Sequence, residues 1–89
     1  MTSCTLKIVN EKGLHARASA KLVEVVEQFD ASAEVSKDGM TASGDSIMGL
    51  LMLAASRGTF IDVETTGTEA EALAQALTDL VDGKFGEEA

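Results

Sequence analysis

The residues whose types and spacing could do chemistry are gathered in one stretch, Gly13-Leu14-His15-Ala16-Arg17-Ala18-Ser19, which holds the only histidine of the chain. The spacing predicts a helix opening at Ala16, which puts His15 at its cap. The first four N–H groups of a helix lack internal partners, and the helix dipole adds roughly half a positive charge there. An imidazole at that point can hold an anionic group against those N–H groups. Arg17 adds a rigid donor fork suited to phosphate oxygens, and Gly13 lets the loop turn close beside them. Transient phosphorylation of an imidazole nitrogen suits this set. Two other readings stay open on spacing alone: a surface histidine that merely caps one N–H, and acid–base work. No serine, cysteine or carboxylate stands where it would form a triad. A histidine without a fixed partner makes a poor hydrolase, which is an advantage in a carrier.

Around this stretch the elements alternate in type. Thr5 to Val9 reads as a short strand with Leu6 and Ile8 on one face. Asn10 to Gly13 breaks it. Ala18, Leu22, Val25, Val26 and Phe29 then recur at helical spacing, with Arg17, Lys21, Glu24 and Gln28 on the other side. Ala31 to Lys37 and Met40 to Ala42 form a hairpin about Asp38-Gly39, a pair that reaches positive φ in a tight turn. Ser46 or Asp45 caps a short apolar helix from Ile47 to Ala54, with Gly49 inside it at a cost of about 1 kcal/mol. Thr59 to Thr65 alternates again, with Phe60 or Ile61 and Val63 as the buried candidates. Thr68 with Glu71 reads as a capping box for a last helix bearing Ala70, Leu73, Ala76 or Leu77, Leu80 and Lys84. The tail from about residue 85 is expected to be flexible, and Gly86 to Ala89 to fray. The order β-α-β-β-α-β-α predicts a single α+β domain spanning 1–89. Its architecture is an open-faced β-sandwich, a four-stranded antiparallel sheet with three helices on one face.

Composition narrows the classes. Eighty-nine residues suffice for one domain with one modest core. Gly49, Arg57 and Gly58 interrupt the longest apolar run, which stops short of the ~18–20 residues of a membrane span. The N-terminus lacks the charged-then-apolar pattern of a secretory signal, so a cytoplasmic location and no membrane are expected. Cys4 can form no intrachain disulfide, and no Cys/His cluster offers a metal site. Fifteen acidic residues against seven basic ones give a net charge of −8. That balance, with three phenylalanines as the only aromatics, argues against a nucleic-acid partner. Eight carboxylates against Lys84 alone lie from Asp62 onward, whereas Lys12, Arg17 and Lys21 flank the histidine.

Gly13-Leu14-His15-Ala16-Arg17 resembles the active-site motif of the histidine-containing phosphocarrier family, HPr, of the bacterial phosphotransferase system. The likeness continues through Asp38-Gly39, Ser46-Ile47-Met48-Gly49-Leu50, the strand from Thr59 and the last helix. The resemblance implies that His15 is phosphorylated at Nδ1 by enzyme I, itself charged from phosphoenolpyruvate. It also implies that His15 passes the group to a histidine of an enzyme II A-type acceptor, with Arg17 helping to hold it. The chain would then be a phosphotransfer component rather than a self-sufficient catalyst. It would bind no cofactor of its own, magnesium and phosphoenolpyruvate being needed by the upstream enzyme. Ala18 departs from the family pattern, in which a proline commonly follows the arginine. That proline would pre-set φ early in the helix, so a modest effect on rigidity is expected. The same departure leaves sugar transport and a nitrogen-related regulatory branch both open.

Ser46 has a plain role as helix cap and, by resemblance, a regulatory one as the serine modified by HPr kinase/phosphorylase; the two are compatible. The second helix has more apolar surface than one buried stripe uses. Ile47, Leu50 and Leu53 or Ala54 are expected in the core, leaving Met48, Leu51 and Met52 as a docking patch with Arg17 and Lys21 as a basic rim. A carrier that shows one face to successive partners is expected to be a monomer. A regulatory binding domain that uses the same surface without phosphorylation is the competing class.

Overall fold

The computed structural model describes residues 1–88. The chain runs β1 (Thr2–Lys7), α1 (Ala16–Glu27), β2 (Ser32–Lys37), β3 (Met40–Ser43), α2 (Ile47–Met52), β4 (Phe60–Thr66) and α3 (Ala70–Asp82). A closing 3-10 turn spans Lys84–Gly86. The expected β-α-β-β-α-β-α order is the observed one. The four strands form one antiparallel sheet in the order β1-β4-β2-β3, with the three helices on one face.

Alternation explains the layers. Leu6 pairs with Ile61, and Val63 lies between Cys4 on one side and Val35 on the other, with Ala42 beyond. Ile61, Val63, Val35, Ala42 and Leu6 are buried beneath the helices, while Asp62, Glu64 and Glu34 point the other way into solvent. The helices answer with Ala18, Leu22 and Val26 from α1, Leu50 from α2, and Leu73, Leu77 and Val81 from α3. Asp38 and Gly39 take positive φ (51° and 83°) in the β2–β3 turn, as the pair's chemistry requires. Among the described residues no helix is long and apolar enough to cross a membrane.

Several local expectations need correction. The first strand begins at Thr2 and ends at Lys7; Val9 lies beyond it, although Ile8 still donates to Thr59 O at 2.8 Å. On α1, Val23 and Ser19 share the buried face, and Val25 and Phe29 are only partly covered. The second helix stops at Met52, and Ala54 leaves it with φ 52°. Ile47 is 40% exposed; Leu50 and Leu53 face the core. Phe60 is likewise outside, at 58% exposure, and Ile61 takes the buried position. No capping box forms at α3. Glu69 holds the cap position without a side-chain cap bond, and its carboxylate accepts the Asp30 N–H at 2.7 Å. The backbone does the capping instead: Glu69 N–H donates to Asp30 O and Ala70 N–H to Gly67 O. Gly67, at φ 118°, lies so close to Ala31 that a Cβ would meet its Cα at 2.9 Å. That approach ties the helix start to the α1–β2 loop and leaves a threonine cap nothing to do.

The largest correction concerns the tail. Lys84, Phe85 and Gly86 all have positive φ (58°, 56° and 78°), and Phe85 is 1% exposed. Far from fraying, residues 85–88 fold back on the body; Ala89 lies outside the described residues. Left-handed backbone costs a non-glycine residue about 1–2 kcal/mol, so two such residues in a row need firm support. The Phe85 ring supplies it by burial, and Lys21 Nζ donates to Phe85 O at 2.5 Å. Replacing Phe85 with alanine should therefore destabilise the domain by about 3 kcal/mol, read as a lower urea midpoint with an unchanged slope.

Candidate functional site

The loop between β1 and α1 determines how His15 meets its helix. Gly13 has φ 66°, and a Cβ there would stand 2.5 Å from Ala55 O and 2.9 Å from Ser56 Cα. Glycine alone fits so close an approach. The neighbouring Leu14 N–H donates to Ala55 O at 2.8 Å, and Gly13 N–H donates to Asn10 O at 3.2 Å. Asn10 is fully buried, and its Nδ2 donates to Gly13 O at 2.8 Å. These bonds fix the chain just before His15, whose extended backbone (φ −79°, ψ −176°) opens the helix.

His15 then caps α1 as its position predicts. Its carbonyl accepts the Ser19 N–H at 2.8 Å, and its Nδ1 accepts the Arg17 N–H at 3.3 Å. The latter distance is long for an N–H···N bond, so the Nδ1 lone pair is only lightly engaged. The other ring nitrogen is held firmly. Nε2 stands 2.5 Å from Glu87 Oε2, in a contact where both side chains are largely covered (27% and 16% exposed). The second Glu87 oxygen accepts from Asn10 Nδ2 at 3.1 Å. The His15 hydrogen bond, followed by that from Asn10, holds the Glu87 carboxyl below its ordinary range, so it is ionised at neutral pH.

His15, Ala16 and Arg17 line one open pocket with Glu11, Lys12, Glu87 and Glu88. The structure thus brings together the histidine and arginine singled out by spacing. It also brings two distant carboxylates, Glu87 and Glu88, to what looks in sequence like a basic island beside Glu11. Arg17 is exposed, and among the described residues its guanidinium makes no salt bridge. Lys21 is half-buried and is bonded to the tail rather than standing free on a rim. Ala18, where proline is the commoner residue, is buried within the first turn of a regular helix.

The second candidate region lies on α2. Ser46, not Asp45, is the cap: its Oγ accepts the Gly49 N–H at 3.1 Å, while Asp45 accepts from Ser43. Gly49 is more than a weak point in the helix. A Cβ there would meet Ala42 Cβ at 3.1 Å, so the glycine lets α2 lie close on β3. Met48 and Met52 are 71% and 66% exposed; Leu51 is half-buried, and Ile47 joins the outward face.

Asn10 and Glu87 are the site residues that sequence reasoning missed. Their chain separation of 77 residues conceals the pairing, but one signal was present. Phe85 is an isolated large apolar residue in an otherwise polar tail, and such a residue argues for docking.

The site is thus a histidine capping a helix, with an arginine beside it on one open pocket, in a domain whose three helices cover one face of a four-stranded sheet. Residues 2–82 match the family model described as the PTS HPr component phosphorylation site. The chain is 50% identical over 88 residues to phosphocarrier protein HPr of Neisseria meningitidis, with 98% of each chain covered. It is 38% identical to phosphocarrier protein NPr of Escherichia coli, with 94% of each covered. The crystal structure of HPr-C-His from Thermoanaerobacter tengcongensis superposes over the full length of both chains with a TM-score of 0.94 at 37% identity. The chain belongs to the HPr family, the phosphocarriers that shuttle a histidine-bound phosphoryl group between enzyme I and enzyme II of the phosphotransferase system.

The depressed carboxyl of Glu87 carries a sign. A group whose folded pKa lies below its ordinary value, here 4.5, contributes stability that is full above that value and is lost as pH falls through the folded one. The Glu87–His15 contact should persist from neutral pH down to the ordinary carboxylate range and be lost only in stronger acid, followed through the Glu87 carboxyl resonance by NMR.

Proposed function

We propose that His15 carries the phosphoryl group on Nδ1, taking it from enzyme I and giving it to a histidine of an enzyme II A-type protein. The observation that carries this reading is Nδ1 itself, held toward the first-turn N–H groups of α1 with Arg17 on the same open pocket. In the forward step the Nδ1 lone pair forms the bond to phosphorus as the bond to the donor atom breaks. The onward step is the same exchange with the acceptor's nitrogen attacking. Arg17 supplies donors to the phosphoryl oxygens, and the unpaired N–H groups at the helix start add to them. The work is that of a monomer in the cytoplasm, meeting its two partners in turn.

The outward face of α2 is the docking surface in this reading. Met48 and Met52 fit several partners because their side chains are flexible, with Leu51 and Ile47 completing the patch. Ser46 is a second, regulatory position for a kinase/phosphorylase: a phosphate there adds nearly two negative charges beside the docking face. Sugar uptake and nitrogen regulation are separated by the acceptor, so sugar-type and nitrogen-type A proteins offered side by side to the charged chain assign the branch.

Incubation with enzyme I, magnesium and phosphoenolpyruvate should add one acid-labile phosphoryl group to the wild-type chain and none to His15→Ala, read by intact mass. No gain in folded wild type, with an enzyme I active on its own carrier, would move the assignment to a regulatory binding domain. Met48→Glu should slow transfer by roughly tenfold without changing the melting temperature, the scale of one interface contact worth about 1.4 kcal/mol. Ser46→Ala should abolish modification by the cognate kinase and, by removing the cap, lower stability by about 1 kcal/mol.

A further inference from the structure

The tail meets the His15 ring at Nε2 alone, and that contact distinguishes the two nitrogens of the ring. We propose that Glu87 is the positioning residue of His15: its carboxylate takes the Nε2–H, fixing the tautomer that leaves Nδ1 as the nucleophile. The inference rests on the reading that His15 Nδ1 is the phosphorylated atom.

Four features hold the carboxylate in place. Phe85 is buried two residues earlier, and Lys21 Nζ bonds its carbonyl. Glu87 N–H donates to Lys84 O at 2.9 Å, closing the turn of positive-φ residues. Asn10 Nδ2 donates both to Glu87 Oε1 and to Gly13 O, so the tail is bonded to the same side chain that shapes the loop ahead of His15. Asn10 Oδ1 has no partner among the described residues, so the amide is oriented for its two donor bonds at the expense of its own oxygen. An ionised carboxylate can only accept a hydrogen bond, so it favours the tautomer with N–H at Nε2 and leaves Nδ1 with its lone pair.

The same contact follows the charge during transfer. As Nδ1 bonds to phosphorus and the donor's bond breaks, the electron pair drawn from the ring leaves the imidazole positive, with its Nε2 proton still in place. Glu87 stands against that positive ring and stays deprotonated. When the Nδ1–P bond breaks in the onward step, the pair returns to Nδ1 and the ring is neutral again, so no proton needs to leave. The two ring nitrogens point away from each other, which keeps the carboxylate off the phosphoryl oxygens. The other charged groups on the pocket are Glu11 and Lys12 from the preceding loop, Arg17 from α1 and Glu88 from the tail, while Lys21 is bonded to Phe85 O.

The test uses nitrogen-15 spectra of the His15 ring together with single-turnover phosphorylation by enzyme I across pH, in wild type, Glu87→Ala and Glu87→Gln. Wild type should show the Nε2–H tautomer alone. Glu87→Ala should show a mixture of tautomers and be charged about tenfold more slowly, the usual scale for losing a partner that orients a reacting imidazole. Both variants should move the pH–rate profile, because both remove the charge facing the ring; a merely structural tail contact would leave that profile where it is. The same tautomer and the same profile in Glu87→Ala as in wild type would overturn the proposal while leaving His15 as the carrier. A wild-type chain that gains no phosphate would instead overturn the carrier reading, and the ring spectra would still report on Glu87.

Discussion

Gly13 lies against the backbone of Ala55 and Ser56 with no room for a side chain, and the site depends on that approach. It brings the β1–α1 loop onto the segment following α2, where Leu14 N–H finds Ala55 O. From that fixed point His15 enters its helix extended, caps it and turns both ring nitrogens to definite neighbours. A bulkier residue at position 13 would push the loop outward and carry the histidine with it. Backbone packing under the loop therefore sets where the histidine stands, and the groups bonded to its two nitrogens set how the ring is turned.

The histidine, the arginine and the order of elements were legible because their signals are local. Helix-start chemistry, strand alternation and an Asp-Gly turn each occupy a few adjacent residues, and all of them stand in the structure much as they read. Errors arose where a local signal met a distant competitor. Thr68 and Glu71 spell a capping box, yet Gly67 pressed against Ala31 hands the helix start to backbone partners. Ile47 has the character of a core residue, but Leu50 and Leu53 fill the space beneath so short a helix. Asn10 and Glu87 could not be found by spacing. A polar pair that meets across the length of the chain leaves no periodicity, and the polar composition of the tail suggests only solvation.

Charge shows the same divide. In sequence the acidic C-terminal part and the basic residues near His15 are separate regions. In the fold Glu87 and Glu88 come to the pocket that Lys12 and Arg17 line, so the histidine sits where the two meet. On the proposed reading, a dianionic phosphoryl group would meet donors on one side of the imidazole, with a carboxylate on the other.

The sheet order has a consequence for the timing of synthesis. β4 is an inner strand and pairs with both β1 and β2, yet it is the last strand to be made. β1, the first, has no strand partner until residues 60–66 have emerged. Loops of that span close slowly, and the nascent N-terminal half must wait with an unpaired edge. The contact between Glu87 and His15, 72 residues apart, comes later still. The ribosome therefore releases the last piece of the site only as it releases the end of the domain, and a chain stalled short of that point carries its histidine without the carboxylate behind it.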